Sequence, residues 1–453
     1  MGKGVKRESG EYVEIRMPAF KGWMPDKSIE YLEVIDEEYT CKEPRAIAAR
    51  VKTIAEEHDD WRRNRCLNLN PSENAISPGA RRLLDTDLAT RVTEGFVGDK
   101  EYPPAPMNRY IDEIEGIIIH LVKKMFRCDY VEWRTLSSSM ANSLVYFALS
   151  KAGDTIMSQS NKGGGNDSYR PNGPPLLRGL NVADLPDAPL FDVDYDVLDK
   201  SIKKVKPAWL VVGGGRILFP YDLKRLREAA DTVGAHILYD AAHVGPLIAF
   251  GLFQDPLAEG ADVMTLGTHK LMGGPIGGLV LTNNEEMAKK MLALTHPAFI
   301  QTRDQNKYAA AAWSLSELAH FGPAYAKQVQ ANSRALAGAL DERGFKVVGK
   351  EKGYTKTHQV IVNVRDLGPR AIEARFNESN ILLPTTVLWD DPPNGRGGLR
   401  ISIQEATRQG MEEEQMRDVA DLIKRSADAE EPEKMRGEVE KFVAPFRKLK
   451  HCF

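Results

Sequence analysis

The sequence predicts an α/β protein built on a mostly parallel central sheet, with a smaller α+β domain at its C-terminal end. Three observations carry this reading. Short apolar runs at AWLVVGG (208–214), AHILYDA (235–241) and ADVMTLGTH (261–269) have the composition of strands buried on both faces. Amphipathic stretches such as YDLKRLREAADTVG (221–234) alternate with them, as a sheet covered on both sides requires. Beyond residue 322 the rhythm changes to strand-like FKVVG (345–349), HQVIVNVR (358–365), ILLPTT (381–386) and GLRISI (398–403), with a helix near 369–379 among them.

Residues 1–40 are polar and irregular and read as an arm. A helix is expected over 41–66, where Ile47, Val51, Ile54 and Ala55 recur at helical spacing among charges. LNLNPSEN (67–74) breaks that pattern. A helix over 110–126 precedes an extended stretch over 129–136. SSSMANSLVYFALSKAG (137–153) reads as a helix capped by serine and ended by glycine. TIMSQ (155–159) and GGLVLTN (277–283) are further strands. A long helix follows Gly322, to about residue 343, and two charged helices close the chain. The resulting division is an N-terminal arm and helix (1–84), a large domain (85–321) and a small C-terminal domain (322–453).

A chain of 453 residues is long for one domain and buries a core without disulfide or metal staples. The charge sum of 61 basic and 64 acidic residues gives −3, without the basic excess of a nucleic-acid binder. No apolar run approaches the ~18 residues a membrane span needs. Cys41, Cys66, Cys128 and Cys452 show no C-x-x-C spacing, and the histidines form no H-E-x-x-H, so no metal site is expected. The basic N-terminus lacks an apolar stretch behind it, and the expectation is a reduced, cytoplasmic protein.

In an open α/β sheet, functional groups gather at the carboxyl ends of the strands. Three such ends carry unusual residues. YDAAH places Asp240 and His243 past one strand, GTHK places His269 and Lys270 past the next, and SSSMAN places Ser137, Ser138 and Ser139 at a helix N-terminus. A pocket lysine condenses with an aldehyde. A carboxylate holds a pyridine nitrogen protonated. Hydroxyls and free N–H groups at a helix start bind phosphate. Aldehyde, pyridine and phosphate together describe pyridoxal phosphate. Singly, each of these residues has an ordinary explanation as a surface lysine, a turn aspartate or a serine cap; together and in this order they favour a cofactor site.

YDAAHVGPLIAFGLF (239–253) and DVMTLGTHKLMGGPIGG (262–278) resemble the paired cofactor motifs of serine hydroxymethyltransferases. NPSEN (70–74), TEGFVGDKEY (93–102), SSSMAN (137–142), GDT (153–155) and GLRISIQEATRQG (398–410) match further motifs in the family's order, over roughly residues 65–425. The resemblance implies a fold-type-I pyridoxal-phosphate-dependent transferase, active as a homodimer with sites shared between subunits. It implies that Lys270 is the Schiff-base lysine, that Asp240 pairs with the pyridine nitrogen, and that His243 lies near the phenolic oxygen. It places Ser137, Ser138 and His269 on the phosphate, and Ser72 and Arg400 on the carboxylate of an amino-acid substrate. Glu94 corresponds to the acid/base glutamate and Tyr102 to an active-site tyrosine, both facing the partner's cofactor.

The sequence also departs from the family. Asn166, in GGGN, stands where a histidine stacks on the cofactor ring. Val92 replaces a phosphate-binding tyrosine, and HPAFIQTRDQ (296–305) replaces a glycine-rich phosphate loop, leaving Thr302 or Arg303 as substitute donors. Ile276 replaces an arginine, Gly215 a serine beside an unexpected Arg216, and Thr385 a folate-binding amide. The loop NKGGGNDS (161–168) is polar, with Lys162 available for an anionic group. These departures argue against tetrahydrofolate. The expectation is Cα–Cβ chemistry, aldol or transaldol, on a serine- or threonine-like amino acid without folate. The alternatives are β-elimination, decarboxylation or racemisation, ordinary folate-dependent hydroxymethyl transfer, and a non-catalytic relative.

Overall fold

The computed structural model describes residues 4–6, 12–14, 24–104, 106–428 and 431–453. The chain divides into two compact units, Met1–Arg65 and Cys66–Phe453. In the first, strands Gly4–Lys6 and Tyr12–Glu14 pair antiparallel, and helices Asp26–Tyr39 and Pro44–Asp60 follow. Much of the expected arm over 1–40 lies outside the described residues, and its described end is helical rather than irregular. The helix expected over 41–66 begins at Pro44, where a missing N–H costs nothing, and widens into a π turn at Trp61–Arg65.

The second unit is organised by a seven-stranded sheet. Its strands are β1 Tyr130–Glu132, β2 Thr155–Ser158, β3 Asn181–Asp184, β4 Trp209–Gly213, β5 His236–Asp240, β6 Val263–Gly267 and β7 Gly278–Thr282. Their order is β1-β7-β6-β5-β4-β2-β3. Strands β3, β2, β4, β5 and β6 are parallel, while β7 runs against both β6 and β1. The sheet is therefore mixed. The connection from β6 to β7, residues 268–277, is too short for a helical crossover, so the chain turns back antiparallel.

Alternate residues of the central strands enter two different cores. Leu210, Val212, Tyr239, Met264 and Leu266 face one, with Leu315 and Leu318 of a long helix. Trp209, Val211, Leu238 and Val263 face the other, with Leu144, Val145 and Tyr146. Burial on both faces explains the continuous apolar runs. Strand β3, NVAD, is not evident in the sequence because it closes the sheet's edge and none of its residues is fully buried.

A four-stranded antiparallel sheet follows, in the order Lys346–Val347, Gln359–Asn363, Gly398–Ser402, Thr385–Thr386. The long helix begins at Gln305, well before residue 322, and continues to Glu342 with Pro323 inside it. Gly322 and Pro323 do not end it because Leu315, Leu318, Tyr325, Ala326, Val329 and Leu336 bury a continuous face across the proline. Among the described residues, no helix is long and apolar enough to cross a membrane.

Gly213 at the end of β4 has φ +101°, and a Cβ there would collide with the Asp240 carbonyl of β5. Gly234 also has positive φ, +71°, but a Cβ there would meet nothing within 4 Å. Gly213→Ala is expected to lower unfolding stability by about 3 kcal/mol or more, from left-handed strain plus backbone displacement. Gly234→Ala should cost only about 1–2 kcal/mol. Urea denaturation of the two variants compares them, and equal losses would show that the β4–β5 approach tolerates a side chain.

Candidate active site

Asp240 ends β5 and Lys270 stands on the turn after β6, on hydrogen-bonded neighbouring strands. The Asp240 carboxylate is buried, at 3% exposure. Its Oδ2 accepts from Asn142 Nδ2 at 3.0 Å and its Oδ1 from the Ala242 N–H at 3.0 Å. Asn142 is itself fixed: Thr265 Oγ1 donates to its Oδ1 at 2.6 Å, and its Nδ2 also reaches Ser168 Oγ at 2.8 Å. One Asp240 oxygen is thus held through a relay that crosses three elements.

Lys270 is half-buried. Burial pushes its ammonium down to about 8; the Asp240 carboxylate opposes the shift and the Arg400 guanidinium adds to it. Asn74 Nδ2 donates to the Lys270 carbonyl at 3.0 Å and fixes the turn.

Ser137 caps the helix Ser138–Leu149 by accepting from the Met140 N–H at 3.2 Å. The first-turn N–H groups of Ser138 and Ser139 have no intrahelical acceptor. This helix start meets the end of β6: a Cβ at Gly267 would lie 3.4 Å from Ser138 Cβ and 3.5 Å from His269 Cε1. The His269 Nδ1 is buried with no partner, and burial pushes the ring down to about 4.

Arg400 lies on the strand Gly398–Ser402. Its Nη1 donates to the Gly215 carbonyl at 2.8 Å and its Nη2 to Ser72 Oγ at 3.2 Å. No carboxylate pairs with it among the described residues. Burial, reinforced by Arg216 and Arg396, pushes its guanidinium down to about 9.

His243 is buried in parallel stacking with His358, ring centroids 5.4 Å apart and planes 16° apart. Its Nδ1 faces His358 Nε2 at 3.3 Å and Gln359 Nε2 at 3.2 Å. Gln359 has no freedom to flip, because its Oε1 accepts from the Ile217 N–H at 3.2 Å and its Nε2 donates to the Gly215 carbonyl at 3.0 Å. An amide nitrogen only donates, so His243 Nδ1 accepts and the ring's proton sits on Nε2. Burial holds His243 well below its ordinary value and pushes His358 to about 3, so both rings are neutral at pH 7.

Asn142, His358 and Gln359 carry no role in the sequence reading. Asn142 had a signal, one helical turn after Ser138 and so on the same face. His358 and Gln359 are hidden at the start of an apolar strand.

Other expected residues stand apart. Glu94 and Tyr102 are register partners on the hairpin Glu94–Phe96/Asp99–Tyr102. Glu94 Oε2 accepts from Gln301 Nε2 at 3.2 Å, and the Tyr102 ring is 59% exposed. Among the described residues no hydrogen bond joins either to the Lys270 cluster. Asn166 is exposed, and its Oδ1 accepts from the Ser168 N–H at 2.9 Å to cap a short 3₁₀ turn. Arg303 does not offer its guanidinium outward: the side chain is buried, 3.2 Å from the Glu115 carboxylate that also binds Lys100. Only Thr302, which is exposed, remains from that pair as a donor.

These residues fit pyridoxal phosphate. The amine of lowered basicity, the buried carboxylate, the unpartnered His269 nitrogen beside an open helix start, and the guanidinium without a counter-ion each match one part of the cofactor or an amino acid.

The chain is similar to proteins of known class. A family model for serine hydroxymethyltransferase matches residues 47–423. The serine hydroxymethyltransferase of Pyrococcus furiosus is 39% identical over 416 residues, covering 89% of this chain and 96% of that protein. That of Methanocella arvoryzae is 39% identical over 393 residues, covering 85% and 92%. That of Korarchaeum cryptofilum is 37% identical over 429 residues, covering 91% and 98%. Fold and site define a pyridoxal-phosphate-dependent enzyme. The chain belongs to the serine hydroxymethyltransferase family.

The lowered basicity of Lys270 has a pH signature. Only the neutral amine attacks an aldehyde, so attachment of pyridoxal phosphate to the cofactor-free protein should quicken about tenfold per pH unit up to about pH 8 and then level off. The growth of visible absorbance after mixing measures it. A rate still climbing tenfold per unit at pH 9.5 would show an ordinary, solvated lysine.

Proposed function

We propose that the protein moves the hydroxymethyl carbon between serine and glycine as a pyridoxal-phosphate enzyme of fold type I, with tetrahydrofolate as the carbon carrier. The observation that carries this reading is the convergence of Lys270, Asp240 and an unpaired Arg400 in a chain whose relatives bear that activity in their names. Lys270 would hold the cofactor, Asp240 its pyridine nitrogen, and Ser137, Ser138 and His269 its phosphate. Bound there, the cofactor supplies an electron sink for bond cleavage at the amino acid's Cα.

The chain's own residues then divide the work. Arg400 and Ser72 grip the α-carboxylate and fix which Cα bond faces the ring. His243 presents its Nε2–H, a fixed donor, to the phenolic oxygen. Lys270, with basicity near neutrality, accepts or releases a proton beside Cα. Glu94 and Tyr102 serve a partner subunit's site, which makes the working unit a homodimer. In this reading the chain comprises an arm (1–84), a large domain (85–321) and a small domain (322–453), with the long helix passing between the last two.

A second reading, folate-independent cleavage or transaldol chemistry on a β-hydroxy amino acid, is favoured by one observation. At Thr385, where the family offers an amide, the hydroxyl donates to Glu373 Oε2 at 2.9 Å and accepts from Arg396 Nε at 3.1 Å. No free amide stands there. Glycine formation from serine, followed with and without tetrahydrofolate, separates the readings. Strong stimulation is expected from the first; equal rates would leave the second.

Arg400→Ala should lower kcat/KM for the amino acid at least ~30-fold, since truncating one partner of a buried charge pair costs about 2–5 kcal/mol. Steady-state kinetics with varied serine tests it. An unchanged value would place the carboxylate elsewhere.

A further inference from the structure

Among the described residues four arginines are buried: Arg134, Arg216, Arg303 and Arg408. Three have a carboxylate in ion-pair contact, Glu132, Glu115 and Glu317 respectively. Arg216 has none. Its Nη1 donates to Thr386 Oγ1 at 3.1 Å, and its Nη2 to the carbonyls of Asn161 and Gly165, while its Nε is buried without a partner. Neutral acceptors leave the charge itself unmatched, and an unmatched buried charge is costly.

Arg216 sits at the rim of the amino-acid site. It follows Gly215, whose carbonyl receives the Arg400 guanidinium. Its partner Thr386 pairs with Gly398, on the strand that carries Arg400. Arg396 reaches the same strand end through Thr385 at 2.6 Å, and it too has no carboxylate partner. Three guanidiniums thus share one rim. The fields of Arg216 and Arg396 both act on Arg400, and although the Asp167 carboxylate acts on Arg216 in the opposite sense, no ion pair joins the two among the described residues. Like charges this close repel, so the empty rim is disfavoured until anions enter. The α-carboxylate of an amino acid satisfies one guanidinium, Arg400. Arg396 is exposed and water screens it. Arg216 has neither recourse.

We propose that Arg216 binds a second carboxylate of the molecule in the site, so that the protein selects a dicarboxylic substrate or a carboxylate-bearing acceptor over their monocarboxylic or uncharged counterparts. This rests on the assignment of the α-carboxylate to Arg400. The shared chemistry is a carboxylate about one residue's breadth from the Arg400 site, whether borne by a β-hydroxy dicarboxylic amino acid or by the glutamate tail of a reduced folate.

Titration calorimetry on the holoenzyme tests it with four probes: serine, β-hydroxyaspartate, tetrahydrofolate, and a tetrahydropterin lacking the glutamate. In the wild type, at least one carboxylate-bearing probe should bind ten- to a hundredfold tighter than its counterpart, the range of a charge-assisted hydrogen bond. A preference in the amino-acid pair assigns the carboxylate to the substrate, and one in the pterin pair to the acceptor. Arg216→Met should abolish that ratio, and Arg216→Lys should retain part of it. A purely structural Arg216, clamping the loop at 161–165, would weaken both members of a pair alike and leave the ratio intact, which overturns the proposal. Equal affinities within both pairs in the wild type, with serine still bound, would refute the second carboxylate and leave the proposed function standing. Failure to bind either amino acid would refute both.

Discussion

The Asp240 carboxylate is the group around which this structure is arranged. It is buried at the end of a central strand, and its two hydrogen bonds come from neutral donors, the Ala242 N–H and the Asn142 amide. Holding it there fixes much else. The helix that carries Asn142 must start beside β6, which puts the Ser137 and Ser138 hydroxyls and the open helix start next to His269. Thr265, across from Asp240 on the next strand, must present its hydroxyl to Asn142. Even the backbone of β4 gives way, since Gly213 leaves no side chain against the Asp240 carbonyl. The ends of three strands and a helix converge to keep one carboxyl group in a dry place.

Around that acid the potential is positive. Lys270, Arg400, Arg216 and Arg396 have no carboxylate in ion-pair contact among the described residues, and the stacked imidazoles of His243 and His358 are held neutral by burial. This imbalance differs from the pairing elsewhere in the molecule, where Lys100 and Arg303 close on Glu115 and Arg408 on Glu317. The contrast separates charges matched within the fold from charges left without an acid partner among the described residues. It also shows why Arg303, which by sequence position could serve a phosphate, does not: its charge is already matched inside the chain.

Much of the candidate site stands out in the sequence because strand ends flanked by apolar runs announce themselves. Asp240, Lys270 and Arg400 each interrupt such a run, and a charge there demands a reason. His358 and Gln359 were not legible, since their partner His243 is more than 90 residues away in sequence, and of Asn142 only its place on the Ser138 face showed, its bond to the distant Asp240 remaining hidden. The fold was legible to the same degree. Doubly buried strands are continuous in hydropathy, but the polar edge strand Asn181–Asp184 has no such signal. The Gly322–Pro323 punctuation suggested a helix start, whereas tertiary burial carries one helix through it from Gln305 to Glu342. The antiparallel β7 follows from the length of the turn before it, which the apolar pattern alone does not weigh.

That turn has a mechanical meaning. Residues 268–277 join two strands whose pairing is unbroken from Val263–Thr282 to Gly267–Gly278, and the turn is tied down by the Thr268 N–H to the Gly277 carbonyl and by Asn74 to Lys270. The Lys270 amine is therefore mounted on an anvil. Its reach comes from its own methylenes and not from any swing of its loop. The opposing jaw is made of other parts, Arg400 on the second sheet and Ser72 on the segment after the short strand Leu67–Asn68. If the site tightens around a small molecule, the travel belongs to that jaw, and the amine stays where the sheet has put it.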